Sequence, residues 1–395
     1  MAPYLLFTPG PVKVAENLRA AITKHDICHR EVDFDELLGR IEQKLLSLFE
    51  IERRQDYRAV MITGSGSAAN ESMLSSVVGD GHILILANGE FGERLHKISE
   101  IYNENTHLIK LPWGQKFDPK MIQNYLKNHE INVIAMVHHE TCSGMLNPLD
   151  KIGTLAKENE AIFIVDGVSS VGAEFVNMAG CNIAFCSSSS SKAIGSYPGL
   201  SFIIGLKEEF EKLHKFKVKT VYLNLATYYK FLTSFKQTPN TPAIPLLFAF
   251  DQALSNILCQ GVSNRYSEIN NRANYLRSEM RKLNLTFLID EDDMCSVLTT
   301  VRVPRSINVT ELRKKLRDSA IIIYEGKGCF KDKFFQVGNI GEISFSDIIF
   351  FIQKLKDALI SPKTGDISIM AATATKLSSR RHLGPQNQIP ISTIS

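Results

Sequence analysis

The stretch FCSSSSSKAIGSYPG, Phe185–Gly199, sets five successive serines before one lysine and then breaks into glycine and proline. Serine runs are common in solvated linkers. This one follows the apolar IAF of Ile183–Phe185 and precedes LSFIIG, Leu200–Gly205, so it joins two strand-like runs in the middle of the chain. Small hydroxyls packed between strands suit a polar ligand better than water.

Working outward, apolar runs alternate with helical patterns. AVMITG (Ala59–Gly64) precedes the helical AANESMLSSVV, HILILA (His82–Ala87) precedes GERLHKISEIY, and THLIKLP precedes PKMIQNYLKNH. INVIAMVHH is followed by LDKIGTLAKEN, then by AIFIVDG (Ala161–Gly167). Strands alternating with helices of about ten residues imply parallel strands joined by crossover helices and covered on both faces. The fold class is therefore α/β. Beyond the helical IPLLFAFDQALSNIL the pattern changes to a long helix, short strands and a final helix, a smaller α/β layer of its own. The expected division is 1–262 for a large domain with its N-terminal segment and 263–360 for a small C-terminal domain. Residues 361–395 are polar without sustained periodicity and read as a disordered tail.

Composition narrows the function. With 45 basic and 42 acidic residues, the net charge of +3 makes no case for nucleic acid or an anionic membrane surface as a partner. Seven dispersed cysteines without a CxxC pair fit reduced thiols, neither a disulfide framework nor a metal site. No signal peptide or membrane-length apolar run is apparent, so a cytoplasmic protein acting on small molecules is expected.

Three features carry chemistry. TGSGSAANE, Thr63–Glu71, turns from a strand into a helix with glycines and free N–H groups suited to a phosphate, although an ordinary tight turn would read the same way. Asp166 ends an apolar strand, where a parallel sheet opens its ligand crevice; its alternative role is to cap the following loop. Lys192, flanked by small residues, would project at the same edge one crossover unit later, whereas most lysines are merely solvated. In this order, a phosphate turn, a strand-end carboxylate and a lysine describe a pyridoxal 5′-phosphate site. The lysine would bind the cofactor aldehyde, and the carboxylate would hold the ring nitrogen protonated.

The same residues, together with LLFTPGPV, DICHREVDF, LANGEFGERL, MVHHETCSGMLNPLDKIG, TPNTPAIPLLFAFDQAL and VGNIGEI, resemble the class V aminotransferases of fold type I over roughly residues 4–360. Within that class the chain resembles the 2-aminoethylphosphonate–pyruvate transaminases; HETCSGMLNP, similar to HxETTTGMLNP of that branch, discriminates best. The resemblance implies a mixed, mostly parallel seven-stranded sheet, a smaller C-terminal α/β domain and a homodimer with shared sites. It implies Lys192 as the cofactor-bearing lysine, Asp166 at the ring nitrogen, and Ser65, Gly66 and Ser67 at the phosphate. Phe91 would stack on the ring, Thr141 would bond its oxygen, and Ser191 would touch the cofactor. Thr238 would reach the phosphate of the neighbouring subunit.

One departure bears on substrate. Where the family reads FRxGxIG this chain reads FFQVGNIG, placing Gln336 where an arginine would fork a carboxylate. Either another cation does the work, with Arg30 and Lys327 as candidates, or the oxo acid is not bound by that fork; Arg30 and Gln336 are the candidate substrate-binding residues, though an arginine at 30 would more often be a surface charge paired with Glu31 or Asp33. The implied reaction moves an amino group from 2-aminoethylphosphonate, or a similar small amine, to pyruvate. Alanine–glyoxylate or serine–pyruvate transamination is the alternative. A cysteine desulfurase fits less well, because neither Cys186 nor Cys329 lies in a glycine-rich accessible loop. A protein of this fold that only binds is a further alternative.

Overall fold

The alternation seen in the sequence becomes two sheets in a computed structural model that describes residues 4–360. In chain order the strands are β1 (Leu5–Phe7), β2 (Tyr57–Thr63), β3 (Ile83–Ala87), β4 (Thr106–Lys110), β5 (Val133–Val137), β6 (His139–Glu140) and β7 (Met145–Leu146). They continue as β8 (Ile162–Asp166), β9 (Ile183–Ser189), β10 (Leu200–Leu206), β11 (Leu298–Arg302), β12 (Ile321–Glu325) and β13 (Phe334–Gly338). The tail from 361 lies outside the described residues.

The large sheet runs β2-β10-β9-β8-β5-β3-β4. Its strands are parallel except β10, which is antiparallel to both neighbours. Every residue of β3, β5 and β9 is buried, as strands covered on both faces require. The helix Val32–Leu48 buries Phe34, Leu37, Leu38, Ile41 and Leu45, a stripe spaced three and four apart. Because β10 runs backwards, it begins at the edge where β8 and β9 end. The loop carrying Lys192 is thereby held at the carboxyl ends of the parallel strands.

The small sheet runs β1-β12-β13-β11. Here the structure corrects one placement: the N-terminal segment expected to belong with the large domain starts as a strand of the small sheet, Leu5–Phe7 pairing in parallel with Ile321–Ile323. The physical reason is burial. Phe7 is fully buried and stacks on Phe351 at 4.5 Å, inside a core with Leu276, Val301, Phe335 and Leu355. Burying such a ring contributes about 1.5–3 kcal/mol, which a three-residue strand could not gain in solvent. The helix Val262–Lys282, which follows Gly261 in a left-handed turn (φ 86°), packs Val262 into the large core and Leu276 and Met280 into the small one. After β1 the chain passes over the large sheet's carboxyl edge through Gly10.

Candidate active site

At that edge Asp166 is 3% exposed. One carboxylate oxygen accepts the Val168 N–H at 2.9 Å, and the other accepts the Asn70 side-chain amide at 2.6 Å. Ser187 Oγ donates to Asn70 Oδ1, fixing which way that amide points. Two further serines of the run satisfy carbonyls where the sheet gives way to loops, Ser188 donating to Gly167 O and Ser190 to Tyr197 O and Leu200 O. Burial raises the pKa of Asp166, while Val168, Asn70, Arg94 and Lys192 oppose the rise.

Ser65 caps the helix Gly66–Val77 without its hydroxyl bonding a helix N–H. A Cβ on Gly66 would lie 2.6 Å from Val168, so only glycine lets this turn sit against the loop after Asp166. Ser67 Oγ accepts from Arg94 at 3.4 Å. The turn of Ser65, Gly66 and Ser67 and the carboxylate are therefore neighbours.

Lys192 is largely buried, and its amine lies against the backbone of Gly10. A Cβ there would be 2.6 Å from Cδ and 2.8 Å from Nζ, and Gly10 has φ 132°. Tyr324 Oη donates to the Gly10 carbonyl at 3.1 Å, pinning the segment. Burial lowers the pKa of Lys192, Lys327 and Arg94 lower it further, and Asp166 works against them. A larger fraction is then neutral amine, the nucleophilic form. Arg265, half-buried, donates to the carbonyls of Gly172 and Ala193 and so ties the lysine loop to the loop after Asp166. Ser191 adjoins the lysine and is half-buried. Tyr324 and Arg265 carry no motif signal, and Gly10, although inside LLFTPGPV, gives no local sign of its role, since each acts through a contact far away in sequence. Replacing Gly10 with alanine is expected to lower kcat/KM about tenfold or more by displacing the lysine, as overpacking costs about 1–3 kcal/mol; retained spectra of the bound cofactor with reduced turnover would check it.

Phe91 opens the helix Glu90–Tyr102. Its N–H and that of Gly92 donate to the Glu140 carboxylate, at 3.1 and 3.0 Å. Burial raises the Glu140 pKa to about 7 against those two donors. The Arg94 guanidinium lies 4.6 Å from the Phe91 ring centre and Lys327 Nζ 5.5 Å from it. Thr141 is buried directly after Glu140.

The two candidate substrate residues are committed elsewhere. Gln336 is 1% exposed, and its amide nitrogen faces Thr141 O, Cys142 O and Thr300 Oγ1 at 2.8, 3.0 and 3.2 Å. Two N–H groups facing three acceptors leave no donor for a ligand; the residue instead ties β13 to the loop after β6. Arg30 donates to Gln237 Oε1, Thr238 O and Pro239 O. It shapes the loop of Thr238, whose own hydroxyl donates to Asn240 O. Among the described residues, no hydrogen bond or ion pair joins Arg30 or Thr238 to Lys192, Asp166 or Phe91.

The family model described as aminotransferase class-V matches residues 17–346. The chain belongs to the class V aminotransferases. It is 31% identical to a 2-aminoethylphosphonate–pyruvate transaminase of Klebsiella pneumoniae over 90% of this chain and 98% of that one. It is 30% identical to an uncharacterised aminotransferase of Methanocaldococcus jannaschii over 85% and 88% of the two chains. A bifunctional phosphonoacetaldehyde hydrolase/aminoethylphosphonate transaminase of Clostridioides difficile is 33% identical over 87% of this chain, which spans 55% of that longer protein. Among solved structures, the alanine–glyoxylate aminotransferase of a Nostoc species superposes with a TM-score of 0.86 at 26% identity, over 91% of this chain and 96% of that one.

Class V aminotransferases work with pyridoxal 5′-phosphate, and the residues fit it. Asp166 is held as an oriented acceptor, the Ser65 hydroxyl is spared by its helix, and Ser189 Oγ is buried on β9 without a hydrogen-bond partner. That cofactor, when bound, supplies an aldehyde for the amine and a ring that draws electrons from the substrate carbon. No helix among the described residues is long and apolar enough to cross a membrane.

Proposed function

We propose that this aminotransferase moves the amino group of 2-aminoethylphosphonate to pyruvate, giving phosphonoacetaldehyde and L-alanine. The observation that carries the reading is a pair of cations beside Phe91, Arg94 4.6 Å and Lys327 5.5 Å from the centre of the ring expected to stack on the cofactor. A phosphonate is a dianion near neutrality, and paired cations suit it better than they suit a lone carboxylate. The near end-to-end match to the Klebsiella pneumoniae transaminase supports the same substrate.

In this reading Lys192 would hold the cofactor aldehyde until the donor amine arrives, and its freed Nζ would then be the base that moves the proton at the substrate carbon. Asp166 holds the ring nitrogen protonated, and the Ser65–Ser67 turn, at a helix N-terminus, binds the phosphate. Thr238, turned into its own loop within one chain, would reach the phosphate of a second subunit in a cytoplasmic homodimer.

A second reading, alanine–glyoxylate transamination, is favoured by the likeness to the Nostoc structure. Holoenzyme offered 2-aminoethylphosphonate, alanine and serine separately is expected to lose its visible absorption fastest with the phosphonate and to regain it with pyruvate. A faster response to alanine with recovery by glyoxylate would replace the first reading by the second.

A further inference from the structure

We propose that Lys327 supplies the cation for the anionic end of the amine donor, the role a glutamine at 336 cannot fill, and that Glu90 occupies that slot until the donor arrives. This rests on the transaminase reading above. Gln336 is neutral and its amide is spent on backbone carbonyls. Arg30 is spent on the Thr238 loop. A donor with a phosphonate or carboxylate still has to be met by charge when it leaves water.

Lys327 sits just before a single helical turn, Gly328–Phe330, and its Nζ lies 3.3 Å from Glu90 Oε2. The other carboxylate oxygen of Glu90 faces Arg94 at 3.1 Å. One carboxylate thus bridges two cations beside Phe91, as the anion of a ligand would. The two cations are not equivalent. Arg94 also donates to Ser67 in the phosphate turn, which commits it to the cofactor side. Lys327 has its side chain 46% exposed, and Glu90 Oε2 is buried without a hydrogen bond of acceptable geometry, so this pair is held by charge and can exchange. A dianion is a stronger partner for an ammonium than a single carboxylate, so a phosphonate displaces Glu90.

The loop is fixed from beneath. Gly328 has φ 52°, and a Cβ on it would lie 2.6 Å from the Trp113 ring. Trp113 is itself held by its indole N–H to Glu93 at 2.8 Å. Trp113 is the single tryptophan of the chain, so its emission reports on this loop.

The test uses holoenzyme, titrated with methylphosphonate while Trp113 fluorescence is followed against chloride at matched ionic strength, and assayed with 2-aminoethylphosphonate and pyruvate. Lys327→Met is expected to abolish the fluorescence change and to raise KM for the phosphonate about 30-fold or more, the loss falling mainly on KM. Lys327→Arg is expected to keep both responses, and Glu90→Gln to tighten methylphosphonate binding several-fold. If Lys327→Met turns over with the parent KM and an unchanged titration, the proposal is wrong while the transaminase reading stands. If the parent transaminates no donor yet shows a Lys327-dependent response to methylphosphonate, the anion site stands and the substrate reading falls.

Discussion

Lys192→Ala is expected to bind pyridoxal phosphate without covalent attachment and to transaminate at least about 10⁴-fold more slowly than the parent. Two contributions disappear together: the amine that takes up the cofactor aldehyde, and the acid–base group at the substrate carbon, the latter worth about 10²–10⁴-fold by itself. The surroundings of Lys192 offer no substitute. Its loop is fastened by Arg265 to Ala193 O and closed by Gly10, and the nearby cations Lys327 and Arg94 are paired with Glu90. Absorption spectroscopy before and after borohydride treatment reads the covalent link, and single-turnover assays read the proton transfer. A variant keeping more than about a hundredth of the parent rate would mean that another group moves the proton.

Asp166→Asn is expected to lower kcat/KM about 10³-fold and to weaken cofactor retention. The carboxylate now accepts from both Val168 N–H and the Asn70 amide. An asparagine can keep one of these bonds, but its NH₂ then confronts the NH₂ of Asn70. Turning Asn70 over to relieve that contact points its NH₂ at Ser187 Oγ, which now donates to the Asn70 oxygen. The substitution therefore disturbs a buried chain of three residues and also removes the charge proposed to face the ring nitrogen. Loss of one partner of a buried charged pair costs about 2–5 kcal/mol, which brackets the expected factor. Cofactor release on gel filtration and steady-state kinetics measure the two parts. Near-parent rates would assign ring-nitrogen protonation to a different residue.

The reach of the sequence differs from residue to residue. Asp166 and Lys192 were legible because both lie where an apolar strand stops, and strand ends in a parallel sheet converge on one edge whatever the rest of the chain does. The glycine–serine turn was legible for the same reason. The role of Ser187 was not, since its partner Asn70 lies on the helix after the first strand of the large sheet, and nothing local joins them. Arg30 and Gln336 show the opposite limit. The charge of Arg30 and the place of Gln336 in the family motif suggested ligand contacts, and the fold gives each of them backbone carbonyls to satisfy.

By itself the sequence determined the α/β class, the strand-end positions of Asp166 and Lys192, and the glutamine where the family has an arginine. The first two follow from periodicity and residue type, which are local properties of the chain, and the third from the resemblance of VGNIGEI to the family motif. Only the tertiary structure decided that β1 joins the small sheet, that Gly10 and Tyr324 close over the lysine amine, and that Glu90 draws Arg94 and Lys327 together beside Phe91. Those arrangements depend on burying Phe7 and on pairing charges brought from distant segments, and such energies arise only once the two sheets are folded against each other.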